Sequence, residues 1–134
     1  MEVLHISEAV SLAIHSLILV ARDSERHKKV KELAEEIGIS KAHLAKVFQR
    51  LAKAGFVSSV RGPRGGFALA RPSHTITLLD IYEAIEAPLQ RGGDCLLRKK
   101  VCPFKECLFG DMITKTTREF REHLASKTLR DFIS

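Results

Sequence analysis

Three cysteines, Cys95, Cys102 and Cys107, fall within a span of thirteen residues near the C-terminal end of a 134-residue chain, spaced C-x6-C-x4-C. An odd number leaves one thiol over in any disulfide framework, and a cytoplasmic protein seldom keeps such a framework. The crowding therefore reads as a ligand set, a redox pair, or chance. As thiolates these side chains can hold an iron–sulfur cluster, in which other donors replace one or two cysteines. They can also build a tetrahedral zinc site that one more donor, His123 or Asp111, would close. Two of them can instead form a reversible disulfide, leaving the third idle. Arg98, Lys99, Lys100 and Lys105 surround them and offset the negative charge of a thiolate cluster. From the residues alone these readings stand side by side.

The elements that must position this segment come before and after it. The chain length suits about one domain, and a hydrophobic content of 45% permits a core. No run of about 18 apolar residues is present, which argues against a membrane span. The N-terminus lacks the layout of a signal peptide, so a cytoplasmic location is expected. Net charge is +6 and the isoelectric point about 9.5, which makes an acidic polymer a plausible partner. The charge is uneven: from Ile37 through Leu79 there are seven Lys or Arg and no Asp or Glu.

That acid-free stretch opens with a helix pair. Val30 to Ile37 has helical character, and Gly38 is placed to end it. Ser40 stands where an N-cap belongs, its hydroxyl available to a free N–H of the next helix. In the helix that follows, Leu44, Val47, Phe48 and Leu51 recur at i, i+3, i+4 and i+7, the spacing of a core-facing stripe. Ala42, Lys46, Gln49 and Lys53 take the opposite face, flanked by His43 and Arg50. Helix, Gly-containing turn and capped basic helix make a helix-turn-helix pattern. Gly55 ends the second helix. Phe56 to Arg61 is rich in strand formers, Gly62-Pro63-Arg64-Gly65-Gly66 is turn chemistry, and Phe67 to Ala70 alternates as a return strand. A hairpin behind a recognition helix is a wing, with Arg61 and Arg64 at its tip, suited to phosphates and narrow minor grooves.

A first helix from Glu8 to about Ala21, capped by Ser7, is apolar almost all round, which predicts burial on all sides and a place under a dimer interface. Arg22 to Lys29 is a charged connector. Thr77-Leu78-Leu79-Asp80 is a capping box opening a helix through Ile81, Tyr82 and Ile85 that stops before Pro88. A loop from about Ala87 to Gly110 then carries the cysteines; such length points to function or disorder. Phe109, Met112, Ile113, Thr116, Phe120 and Leu124 form a stripe along a further helix, as core or as an intersubunit seam. Thr128 to Asp131 is a second capping box before a last short helix. His5, His15, His27, His74 and His123 show no ligand spacing among themselves. No Gly-rich phosphate loop and no nucleophile–base constellation is present, so an enzyme is not expected.

Three stretches resemble one family: Ile39 to Leu44, Leu51 to Val57, and above all Val60-Arg61-Gly62-Pro63-Arg64-Gly65-Gly66-Phe67-Ala68-Leu69. They are similar to the Rrf-type winged-helix regulators, the family of IscR and NsrR; the closing Thr128 to Ile133 shares a family habit. The resemblance covers essentially the whole chain. It implies a mainly α fold with a small β-wing, a winged helix-turn-helix followed by a long C-terminal dimerisation helix. Residues 1–86 would form the DNA-binding domain, 87–110 the cysteine loop and 111–134 the dimerisation helix with the short last helix. It implies a homodimer on a palindromic operator in double-stranded DNA and a cysteine loop holding an iron–sulfur cluster that tunes affinity.

Members resembling IscR carry a histidine three residues after the last cysteine; here that position is Gly110. Members resembling NsrR use a carboxylate near the partner's N-terminus, and Glu8 stands at the matching place. The resemblance thus implies a ligand set of Cys95, Cys102, Cys107 and Glu8, with [4Fe–4S] expected ahead of [2Fe–2S]. Glu8 has a plainer role too, as an acid favouring the positive end of its helix. On DNA, Ser40, Lys41 and His43 are expected at base edges, and Lys46, Arg50, Arg61 and Arg64 at phosphates. The function expected is a regulator, a repressor, controlled by its cluster. A winged-helix regulator with a structural zinc or thiol switch is the alternative, and an iron–sulfur electron carrier the more distant one.

Overall fold

A computed structural model describes residues 6–23, 25–86, 103–106 and 108–133. Cys95, Cys102 and Cys107, most of the loop between residues 87 and 110, and His5 lie outside the described residues.

Helix α1 (Glu8–Arg22) begins where Ser7 Oγ accepts from the Val10 N–H. Its apolar residues are covered by the same chain: α1 packs against the later helices, the wing and the C-terminal turn. Val10, Leu12, Ala13, Leu17 and Val20 are buried, whereas Glu8, His15 and Arg22 are exposed. The expectation of a helix buried on all sides is therefore met in part, and the burial comes from intramolecular packing. The burial of α1 by itself does not require a second chain.

Helices α2 (Val30–Ile37) and α3 (Lys41–Lys53) are joined by a turn at Gly38, whose φ of 85° lies in the left-handed region that glycine enters without strain. The Gly38 and Ile39 N–H groups both donate to the Ala34 carbonyl, which closes the end of α2 and starts the turn. Ser40 caps α3, its Oγ accepting from the His43 N–H at 3.1 Å. The stripe Leu44, Val47, Phe48 and Leu51 is buried as its spacing predicts. Each such side chain contributes roughly 1.5–3 kcal/mol when taken fully out of water.

Strands β1 (Val57–Val60) and β2 (Gly66–Leu69) form the antiparallel wing, Val57 opposite Leu69 and Val60 opposite Gly66. Against the sequence expectation, β1 is one residue shorter at each end and β2 lies one residue earlier. The Phe56 N–H donates back to Leu51 of α3, so it closes the helix rather than starting the ladder.

Helix α4 (Leu78–Ile85) has the expected capping box, with Thr77 and Asp80 exchanging bonds at 3.0 Å. Helix α5 (Met112–Ser126) lies against α4 and has Ile113, Thr117 and Leu124 buried, with Phe120 edge-on to Tyr82 at 5.5 Å. The last element, Leu129–Phe132, is a short 3-10 turn. It returns to the start of α4: Leu78 N–H donates to the Lys127 carbonyl and Leu129 N–H to the Ile76 carbonyl. The two capping boxes recognised separately in the sequence thus face each other across a backbone bridge between Thr77 and Thr128. Among the described residues no helix is long and apolar enough to cross a membrane. The architecture is mainly helical with a small two-stranded wing, as expected.

Candidate nucleic-acid interface

The wing is held by more than its own hairpin. Phe67 in β2 exchanges two backbone hydrogen bonds with Lys28, just before α2, at 2.9 and 2.7 Å. Its ring packs on Phe48 of α3, centroids 4.8 Å apart. Gly66, at φ 137°, makes this approach possible: a Cβ there would stand 2.5 Å from the Lys28 carbonyl oxygen. The wing, the start of α2 and helix α3 thus form one unit.

The connector before α2 carries an ion-pair cluster. Arg26 Nε lies 2.7 Å from Asp23 and its Nη2 2.8 Å from Glu32. Lys28 Nζ lies 2.9 Å from Glu36. The hydrogen bond from Arg26 holds the Glu32 carboxyl below its ordinary range. Exposed pairs of this kind add little stability. Here they engage Asp23, Glu32 and Glu36 with Arg26 and Lys28.

Ser40, Lys41, Lys46, Arg61 and Arg64 are exposed, and His43 is half-buried. Ser40, Lys41 and His43 stand at the start of α3, and Lys46 lies one turn on. Arg61 and Arg64 lie in the wing connection between β1 and β2, Arg64 inside the turn that the Gly65 N–H closes on the Gly62 carbonyl. Among the described residues, none of Lys41, Lys46, Arg61 and Arg64 has a carboxylate partner. His43 Nδ1 is 4.0 Å from Glu8 Oε1. Arg50, at the other end of α3, donates from Nη2 to the Ile85 carbonyl in the last turn of α4.

The candidate metal ligands are divided. Glu8 is described, with 70% of its side chain exposed, at the first residue of α1; Cys95, Cys102 and Cys107 are not. Among the described residues no group of three or more His, Cys, Asp or Glu is placed to hold a metal ion. Asp111 precedes α5 and His123 lies in its last turn. They are about 18 Å apart along the helix, so at most one of them can close a zinc site.

Sequence reading missed Lys29 and Lys31, which share a groove with Lys41 and the wing glycines. The signal was present but diluted: both lie in a stretch where acids and bases alternate, and only the fold separates the two signs.

Residues 6–134 match the family described as "Rrf2: Iron-dependent Transcriptional regulator". The chain is 32% identical to a protein of Aquifex aeolicus (strain VF5) named as an HTH-type transcriptional regulator, over 130 residues that cover 96% of this chain and 90% of that one. It is 29% identical to Protein aau3 of Rhizobium meliloti (strain 1021) over 132 residues, 97% of this chain and 85% of that one. Among solved structures it is similar to CymR (YrzC), the global cysteine regulator of B. subtilis, with a TM-score of 0.81, 26% identity, and coverage of 96% and 95% of the two chains. It is also similar to T. potens IscR, with a TM-score of 0.77, 29% identity, and coverage of 96% and 85%. A family match over nearly the full length, on a winged helix-turn-helix with an exposed basic face, places this chain in the Rrf2 family: it is a DNA-binding transcriptional regulator and not a catalyst.

Proposed function

We propose that the chain acts in the cytoplasm as a homodimeric repressor whose operator affinity depends on an iron–sulfur cluster. The observation that carries the DNA reading is the set of unpaired cations on α3 and the wing, fixed as one unit by the Lys28–Phe67 bridge. Each α3 enters a major groove, with Ser40, Lys41 and His43 at base edges. Lys46, Arg61 and Arg64 meet phosphates, and Arg50 adds a phosphate contact beside its bond to α4. A symmetric dimer then reads a palindrome with half-sites about one helical turn, or a multiple of it, apart. Phe109 and Met112, 45% and 54% exposed at the start of α5, continue its apolar stripe and supply a seam for the second copy.

The cluster reading rests on donor chemistry: three thiols and one exposed carboxylate are enough to fill the four terminal ligand positions of a cluster. Cys95, Cys102 and Cys107 would hold it with Glu8 of the second copy, in the [4Fe–4S] form ahead of [2Fe–2S]. When bound, such a cluster supplies a centre whose presence and charge answer to oxidants and ligands. Two contacts give α3 a stake in this region. Glu8 touches His43 at the start of α3, and Arg50 at its end holds Ile85, two residues before the cysteine loop begins. A shift of either neighbour moves the recognition helix, the two-state coupling that allostery requires.

The test is anaerobic purification with a visible spectrum and iron, sulfide and zinc counts, followed by duplex binding before and after cluster removal. Matched iron and sulfide, lost in Cys102→Ala, with an operator-affinity change of about 5- to 150-fold, supports the reading. Zinc in place of iron, or equal affinity in both states, overturns the switch.

A further inference from the structure

Between the start of α2, the start of α3 and the wing lies an open groove of about 450 Å³, lined by Lys29, Lys31, Lys41, Gly62, Gly65 and Gly66. All three lysines are exposed, and among the described residues none has a carboxylate partner. Their near neighbours in sequence differ. Lys28 is paired with Glu36, and Glu32, the acid in the first turn of α2, is held by Arg26 and by the backbone N–H of Lys29. Glu32 and Glu36 are thus engaged by other partners, and among the described residues no carboxylate is paired with the three lysine ammonium groups.

The floor is backbone. A Cβ at Gly65 would stand 2.1 Å from the Val60 carbonyl oxygen, and one at Gly66 2.5 Å from that of Lys28, so no side chain can fill the groove from there. Its walls are preset, because the Lys28–Phe67 bridge fixes β2 against the start of α2. A recess bordered by three exposed lysines without carboxylate partners, beside Val30 and the wing glycines, suits a compact, fully ionised anion.

We propose that this groove seats a phosphodiester of the DNA backbone, held by Lys29, Lys31 and Lys41. The inference rests on the DNA-binding reading above and deepens it. It adds Lys29 and Lys31 to the interface and gives Lys41, expected at base edges, a phosphate to hold. One phosphate bridging α2, α3 and the wing sets the register of the whole unit on the duplex without reading sequence.

The experiment measures the full chain on a mixed-sequence duplex and on a selected operator across a salt series, for wild type and Lys29→Gln/Lys31→Gln. Thermal melting checks the fold of both. The double variant is expected to bind both duplexes more weakly by the same factor, keep its operator preference, and show a log K against log salt slope shallower by about 1 to 2. Lys31→Arg should retain the slope of wild type. An unchanged slope in the double variant overturns the groove, as does a loss confined to the operator, which would mean base readout. If wild type itself shows no salt-dependent duplex binding, the DNA reading fails first, and the two failures are told apart.

Discussion

Lys28 and Lys29 are neighbours in sequence with opposite fates. Lys28 is buried, its backbone paired with the wing and its ammonium with Glu36. Lys29 is exposed and unpaired beside the wing glycines. The same division holds for the regions they belong to. In the connector, Arg26 and Lys28 are matched by Asp23, Glu32 and Glu36. Across α3 and the wing, Lys41, Lys46, Arg61 and Arg64 have no carboxylate partner among the described residues. A paired cation orients chain segments and is nearly invisible to a distant polyanion. An unpaired one keeps its field and its counterion, which DNA can displace. Two regions that both carry Lys and Arg thus do different work because acids were placed beside one and withheld from the other.

Three substitutions or conditions would break or sharpen this contrast. The largest effect is expected from Gly66→Ala. It forces a Cβ against the Lys28 carbonyl at a backbone conformation that L-residues avoid, which should destabilise the fold by roughly 2–4 kcal/mol. Chemical denaturation would show the loss of stability, and gel-shift titration a loss of binding to every duplex, because the wing separates from α2. Preserved binding by a stable Gly66→Ala protein would mean that the wing is not held as described. Next comes Lys28→Gln, expected to cost about 0.5–1 kcal/mol, since Glu36 is only partly screened from water. Its salt slope on DNA should equal that of wild type, the reverse of the Lys29→Gln/Lys31→Gln pattern; a shallower slope would erase the distinction between the two lysines. The smallest effect concerns pH. Glu32 has its carboxyl lowered from 4.5 by Arg26, so its contribution is full above the unfolded value and is lost as pH falls through the folded one. Thermal midpoints of wild type and Glu32→Gln should therefore converge as pH drops below 4.5. Parallel curves would show that the pair does not help hold the connector.

The local features were legible for a local reason. Caps at Ser7, Ser40 and Thr77, the end of α2 at Gly38, and the stripe from Leu44 to Leu51 depend on contacts within about one or two helical turns. Residue type and spacing report such contacts directly. The basic face of α3 and the wing was visible too, because a stretch without acids cannot neutralise itself. Four contacts were not legible: Lys28 with Phe67, Arg50 with Ile85, Glu8 with His43, and the bridge between Thr77 and Thr128. Each joins residues far apart in the chain, and none has a periodic or capping signature. The extent of α1's burial was readable from its apolar faces, but not that its own chain supplies the cover.

By itself, then, the order of residues determined where helices start and stop, which faces are apolar, and that a basic helix-turn-helix and wing would form, since hydrogen-bond caps and hydrophobic periodicity act over a few residues. Only the tertiary structure decided which cations stay unpaired. Lys28, Lys29 and Lys31 are chemically identical in the sequence. Their roles separate when the chain closes on itself, because charge pairing depends on distance in space and on which backbone comes near enough to exclude water.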